Sequence, residues 1–263
     1  MKEIIQVVCD DLSIHMMMDL DPSFMADFNT KKYNAIFGSA EPEVVNVMKH
    51  VLRKGDTAID GGANVGYFSL IMSALVGDSG KVLAFEPGPD NCRKMRTNIE
   101  INNLKNVSLT DRPLWVDSRE VTLHMHADSG AHSLRKHDTS ASCIVQSTSI
   151  DAWDCHPRLV KLDIEGAEIE ALEGGYETIR KNRTYIVCEM NKDSLARFGY
   201  SETDLRDCAK SLFDYDTFLL SKSFKYPVYI PHGVEVMAPV LNMNVLFATP
   251  AMVLEAFPVL HYV

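Results

Sequence analysis

From Glu41 onward the apolar positions fall into two alternating spacings. In "EPEVVNVMKHVL" Val45, Met48, Val51 and Leu52 recur at helical steps, with Pro42 in the first turn. "DTAID" is a short continuous run, as in a strand buried on both faces, and "YFSLIMSALV" is a helix stopped by "GDSG". "KVLAFE" predicts the next strand, "PDNCRKMRTNIEINN" the next helix and "VSLTD" a third strand. The rhythm loosens over residues 113–158, where "EVTLHM" and "CIVQSTSI" read as strands around the loop "ADSGAHSLRKHDTS". It resumes with the strand "LVKLDI", then a helix through Arg180 whose stripe is Ile169, Leu172, Tyr176 and Ile179. The strand "TYIVCEM", a helix over residues 202–212, and the strands "DTFLL" and "NVLFA" complete the pattern.

Strands alternating with helices predict an α/β fold with a mostly parallel sheet covered on both faces. No helix separates the last two strands, so the sheet should end antiparallel. Ahead of this domain (41–263), residues 1–40 form an annex in which "EIIQVV" and "LSIHMMM" alternate around Asp10-Asp11 as a hairpin. Met16, Met17 and Met18 read as adaptable core filler. The hairpin and the irregular insertion at 113–158 are expected to shape an acceptor pocket.

Composition narrows the partners. Lys and Arg number 26 against 36 Asp and Glu, a formal charge of −10, so the surface repels nucleic acid and no basic patch offsets it. The six cysteines are scattered without a C-x-x-C pair, which fits neither a zinc site nor a disulfide framework. The opening "MKEIIQVVCDD" is no signal peptide, and no apolar run approaches the roughly 20 residues of a membrane helix. A cytoplasmic enzyme or binding protein is expected, with small neutral or cationic ligands and room for a homo-oligomer.

The first candidate chemistry lies in "AIDGGANVGYFSL". Asp60 closes a strand, Gly61, Gly62 and Gly66 permit a sharp turn and a close backbone approach, and a helix follows. Twenty residues after Gly66, Glu86 closes the second strand, where a carboxylate can accept from both ribose hydroxyls. The pair points to a nucleoside-containing cofactor. Gly61, Ala63 and Gly66 can be set on the dinucleotide pattern of a nicotinamide-dependent oxidoreductase. Asp60-x-Gly62-x-Asn64-x-Gly66 reads instead as the loop of S-adenosylmethionine enzymes, and the antiparallel end favours that second reading.

Over most of the chain the sequence resembles the FkbM family of S-adenosylmethionine-dependent methyltransferases. The pieces that carry this are "GDTAIDGGANVGYFSL", "GKVLAFEPGPDNCRKMRTNI", "SGAHSL" before "STSIDAW", "LVKLDIEGAEIEALEGG" and the closing "NVLFATP". The resemblance implies a Rossmann-like class I methyltransferase fold with a seven-stranded sheet and an antiparallel last strand. It also implies methyl transfer, usually to a hydroxyl of a small metabolite or sugar and in some relatives to nitrogen. Carried over by position, Asp60, Gly62, Asn64 and Gly66 surround the methionine part of S-adenosylmethionine and Glu86 its ribose. "TDRPLW" departs from the family's small residues, leaving Leu114 or Trp115 to pack on the adenine.

Methyl transfer from a sulfonium is an in-line displacement that needs an aligned acceptor, exclusion of water and, for a hydroxyl, a proton acceptor. Asp163 ends a strand beside the expected sulfonium and can hold the hydroxyl, act as base or bind a metal. Glu165 is a second candidate, whereas Glu168 reads as an acidic helix-start residue favoured by the helix dipole. His132, in "SGAHSL", is a candidate base because the resemblance places that loop near the acceptor. His124 and His126 share a strand face but lack a third ligand. Asp163 with Glu189 and Asn191 offers oxygen ligands suited to magnesium, as the lesser alternative to a metal-free site. Other readings are N-methylation of an amide or amine, perhaps on a peptide, a nicotinamide-dependent oxidoreductase, and a nucleoside-binding module without catalysis.

Overall fold

The computed structural model describes residues 2–9, 12–19, 41–126, 131–136, 141–234, 242–259 and 261–262. The chain opens with β1 (Lys2–Cys9) and β2 (Leu12–Asp19), an antiparallel hairpin in a sheet of its own. Its expected turn residues Asp10 and Asp11 lie outside the described residues, as do the side chains of Met17 and Met18. Ile14 and Met16 are buried.

Next come α1 (Pro42–Val51), β3 (Thr57–Gly61), α2 (Tyr67–Val76), β4 (Lys81–Phe85), α3 (Pro89–Ile101) and β5 (Val107–Thr110). Each follows its apolar spacing: Val45, Met48, Val51 and Leu52 are all buried, as predicted for the α1 stripe. The hairpin packs through β2 against α2 and α3. Asn102 fastens it there, its Oδ1 accepting from the His15 N–H at 2.8 Å and its Nδ2 donating to the His15 carbonyl at 2.6 Å.

In the insertion, β6 (Glu120–Met125) and β7 (Ala141–Gln146) pair antiparallel as a separate two-stranded sheet. The regular pattern returns with β8 (Pro157–Leu162), α4 (Glu168–Glu173), α5 (Tyr176–Asn182) and β9 (Tyr185–Asn191). The single helix expected through Arg180 is thus two. Glycine at 174 and 175 separates them because backbone packs there: a Cβ on Gly174 would stand 2.2 Å from the Trp115 carbonyl oxygen. The stripe survives the break, with Ile169, Leu172 and Ile179 buried.

Then follow α6 (Lys192–Phe198), α7 (Glu202–Phe213), β10 (Asp216–Leu220), β11 (Val228–Ile230), β12 (Asn242–Ala248), α8 (Pro250–Ala256) and β13 (His261–Tyr262). Ser201 and Asp204 form a reciprocal capping box at the start of α7. The short α6 has too few turns to show a periodicity and was not anticipated.

The main sheet has the order β13-β11-β10-β12-β9-β8-β3-β4-β5. Its seven expected strands are present, parallel from β5 through β9, with β12 inserted antiparallel between β9 and β10. The expectation of seven falls short by two short strands, β11 and β13, added beyond β10. β11 lies in the aromatic stretch read as a loop. Among the described residues no helix is long and apolar enough to cross a membrane.

Candidate functional site

The order in which strands are added to the sheet reverses between the parallel neighbours β3 and β8, so a crevice opens at their carboxyl ends. The loops leaving these strands touch there. The Asp163 N–H donates to the Gly61 carbonyl at 3.2 Å. A Cβ on Gly62, whose φ is +73°, would stand 1.8 Å from the Asp163 carbonyl oxygen. Only glycine permits both that φ and that approach. Asn64 also adopts a left-handed φ of 49°, and its side-chain oxygen is buried with no hydrogen-bond partner among the described residues.

Glu86 closes this loop from β4. One carboxylate oxygen accepts from the Asn64 N–H at 2.8 Å, the other from the Gly88 N–H at 2.8 Å and Asn91 Nδ2 at 3.2 Å. The residue that the sequence assigns to a ribose therefore also ties the glycine loop to the start of α3. Burial raises its pKa above the usual carboxylate value, opposed by these hydrogen bonds.

Asp60 is fully buried beneath the loop and does not line the cavity. It accepts from the Ser69 hydroxyl at 2.5 Å and lies 3.5 Å from the Lys161 ammonium. Lys161 also reaches Asp163 at 3.4 Å, and Asp163 is 32% exposed. Burial works to lower the Lys161 pKa, but Asp163, Asp60, Glu41 and Glu189 together outweigh it and raise it above the ordinary value.

Beyond Asp163 the site is acidic. Oxygens of Asp163, Glu165 and Glu189 lie within 4.8 Å of one another. The charge of Asp163, then burial, then Glu165, Glu41 and Glu168 push the Glu189 carboxyl up to about 10. Glu165, held at φ 56°, accepts from the Ser194 hydroxyl at 2.7 Å and pairs with Arg197 at 3.2 Å. Glu168 folds back on its own turn, accepting from the Ile164 and Gly166 N–H groups at 3.1 and 3.3 Å, and burial raises it to about 7. The Asn191 amide oxygen caps α6, accepting from the Asp193 and Ser194 N–H groups. Glu165 joins Asp163 and Glu189 as a candidate cation ligand.

The cavity measures about 250 Å³, and its lining includes Gly62, Asn64, Glu86, Asp163, Glu165 and Glu189. Leu114 and His132 line it as well, with Leu123 and Leu134, so the insertion does wall the site. No described residue of the β1–β2 hairpin lines it, because that hairpin is docked on α2 and α3. Trp115 does not line it either and lies instead against Phe198, with ring centroids 6.2 Å apart. Gly66 turns into α2 behind the cavity, against Met95. His132, the candidate base, lines the cavity, and its Nδ1 accepts from the His126 N–H at 3.1 Å.

Two members of the site had escaped notice. Lys161 is the one charged residue inside the apolar run "LVKL", an anomaly in a strand buried on both faces. Glu41 lines the cavity from just before α1, held by the Asn244 amide at 3.0 Å, and nothing in its local pattern distinguishes it from a helix-start acid.

The sequence model of the Methyltransferase FkbM domain matches residues 60–226. No curated protein matches the chain. Among solved structures, methyltransferase FkbM from Methylobacillus flagellatus KT is 16% identical at a TM-score of 0.48, over 73% of this chain and 43% of its own. This chain thus spans less than half of the Methylobacillus protein. An S-adenosylmethionine-dependent O-methyltransferase from Thermotoga maritima is 14% identical at a TM-score of 0.49, covering 94% of this chain and 77% of its own. A Streptococcus mutans protein in complex with SAH is 13% identical at a TM-score of 0.46, covering 80% and 98%.

Proposed function

We propose that the chain, which belongs to the FkbM methyltransferase family, is an S-adenosylmethionine-dependent methyltransferase that methylates a hydroxyl oxygen of a small metabolite or sugar. The observation that carries this is Asp163, an accessible carboxylate held by Lys161 and set directly against Gly62.

The residues present fit the cofactor. The Asn64 side-chain oxygen is buried and unsatisfied among the described residues, Gly62 bares its backbone, and Glu86 keeps acceptor capacity beyond its three hydrogen bonds. Bound, S-adenosylmethionine supplies a methyl group on a positively charged sulfur. Asn64 and Glu86 hold the cofactor, with Leu114 as an apolar wall. Asp163 would orient the acceptor hydroxyl and take up its proton. Leu123 and Leu134 exclude water. The reading requires no divalent ion, since Lys161 already supplies a cation beside Asp163.

Transfer to an amine nitrogen is a second reading. Glu41, Glu86, Asp163, Glu165 and Glu189 line the cavity and, among the described residues, no Lys or Arg does, a charge that favours a cationic or basic acceptor.

A screen of metabolites, sugars, amines and peptides with methyl-labelled S-adenosylmethionine tests both, with the labelled atom located in the product. Label on oxygen supports the first reading and label on nitrogen the second. Asp163→Ala should abolish transfer, and unchanged turnover would remove that residue from the step. Titration with S-adenosylhomocysteine and NAD separates either reading from an oxidoreductase, which binds only the latter.

A further inference from the structure

Lys161 is out of place by its surroundings. Its neighbours Leu159, Val160 and Leu162 are wholly buried in a strand covered on both faces, and its own side chain is only 4% exposed. Burying an ammonium is costly unless it is paired. The sheet register supplies the partner, because Lys161 on β8 lies directly opposite Asp60 on β3. One Asp60 oxygen is taken by the Ser69 hydroxyl at 2.5 Å. The other has no hydrogen-bond donor among the described residues and meets the ammonium at 3.5 Å. The same ammonium reaches Asp163 at 3.4 Å and lies 5.0 Å above the centre of the Phe68 ring. Phe68 belongs to α2, the helix that the glycine loop opens. A single cation therefore touches the strand before that loop, the helix after it and the carboxylate across from it.

Asp163 would not hold its place unaided. It shares the cavity with Glu41, Glu165 and Glu189, and like charges at this range drive one another toward solvent or protonation. We infer that Lys161 is a positioning residue for methyl transfer, a clamp that locks Asp163 to Asp60 and so fixes the acceptor carboxylate relative to the cofactor loop. This rests on the reading that Asp163 stands beside the transferred methyl.

A double-mutant cycle on the full chain tests the clamp without knowledge of the acceptor. Binding of S-adenosylmethionine, a cation at sulfur, and of S-adenosylhomocysteine, neutral there, is titrated for the parent, Lys161→Met, Asp163→Asn and the double variant. In the parent background Asp163→Asn should lower the preference for the sulfonium ligand by about fivefold, and with Met at 161 the same change should alter it by less than about twofold. A lysine with a merely structural role would weaken both ligands and lower the melting temperature, yet leave the Asp163→Asn effect intact; equal effects in the two backgrounds therefore overturn the inference. If Lys161→Met does not fold, the cycle is run on Lys161→Met/Asp60→Asn, which removes the buried cation together with its buried anion, against the parent. Should Asp163→Asn leave the ligand preference unchanged in the parent itself, the placement of Asp163 beside the methyl fails, and the clamp with it.

Discussion

Replacing Glu86 with glutamine changes almost no volume but leaves one end of the side chain an NH2 group. In the folded protein both carboxylate oxygens accept from backbone N–H groups, Asn64 at one and Gly88 at the other, each at 2.8 Å. Glutamine can satisfy only one of them, so the NH2 end must face a donor. A buried donor left unpaired costs about 1–3 kcal/mol. Loss of the charge also weakens any bond to a ribose hydroxyl, since bonds to charged groups contribute about 1.5–3 kcal/mol. Part of the first cost falls on folding and part on binding, so S-adenosylhomocysteine should bind about tenfold to a hundredfold more weakly, or about 1.4–2.8 kcal/mol. Titration calorimetry at neutral pH measures the affinity, and a thermal melt of the unliganded protein reports the share borne by the fold. Affinity within about twofold of the parent would refute both the ribose assignment and the role of Glu86 in ordering the glycine loop.

Gly62→Ala should lower the melting temperature and weaken S-adenosylhomocysteine at least about tenfold, since alanine at a left-handed φ costs about 1–2 kcal/mol before its clash with the Asp163 carbonyl is counted; parental melting and binding would refute the close approach of the two loops. Glu189 predicts a pH dependence. Its folded-state value of about 10 lies above the ordinary 4.5, so the folded protein keeps a proton that the unfolded chain releases. Its contribution to stability is full below the ordinary value and lost as pH rises toward the folded one. Glu189→Gln, permanently neutral, should therefore melt above the parent by a margin that widens between about pH 6 and pH 9, and a constant or shrinking margin would count against the acidic crowding. Removal of divalent ions with EDTA should leave methyl transfer unchanged, because the Lys161 ammonium stands beside Asp163; activity lost and then restored by magnesium would overturn the metal-free reading.

Local rules made the α/β core legible. Short apolar runs marked β3, β4, β8 and β9, and the stripe of Val45, Met48 and Val51 marked α1, because parallel strands and amphipathic helices declare themselves by period. The loop from Gly62 to Gly66, Glu86 and Asp163 could be found as strand-end chemistry. What stayed hidden depends on contacts distant in sequence. The capping role of Asn191 was hidden because α6, which it caps, is too short to be seen by periodicity. Trp115 looked like an adenine wall, yet Phe198 sits beside it. The hairpin was expected to shape the acceptor pocket, but Asn102 holds it on the helix layer. Lys161 was visible as a charge within an apolar run, but its meaning needed the register that puts Asp60 opposite.

The insertion of β12 between β9 and β10 bears on how the protein is made. Until residues 242–248 have been synthesised and threaded into the sheet, β9 and β10 each present an unpaired edge where those residues belong. Glu41, some two hundred positions earlier, meanwhile lacks the Asn244 amide that holds it at the cavity. The open edges are exposed to wrong partners for as long as that strand is out of the sheet, and the wall of the cavity shares its fate with the sheet's far half.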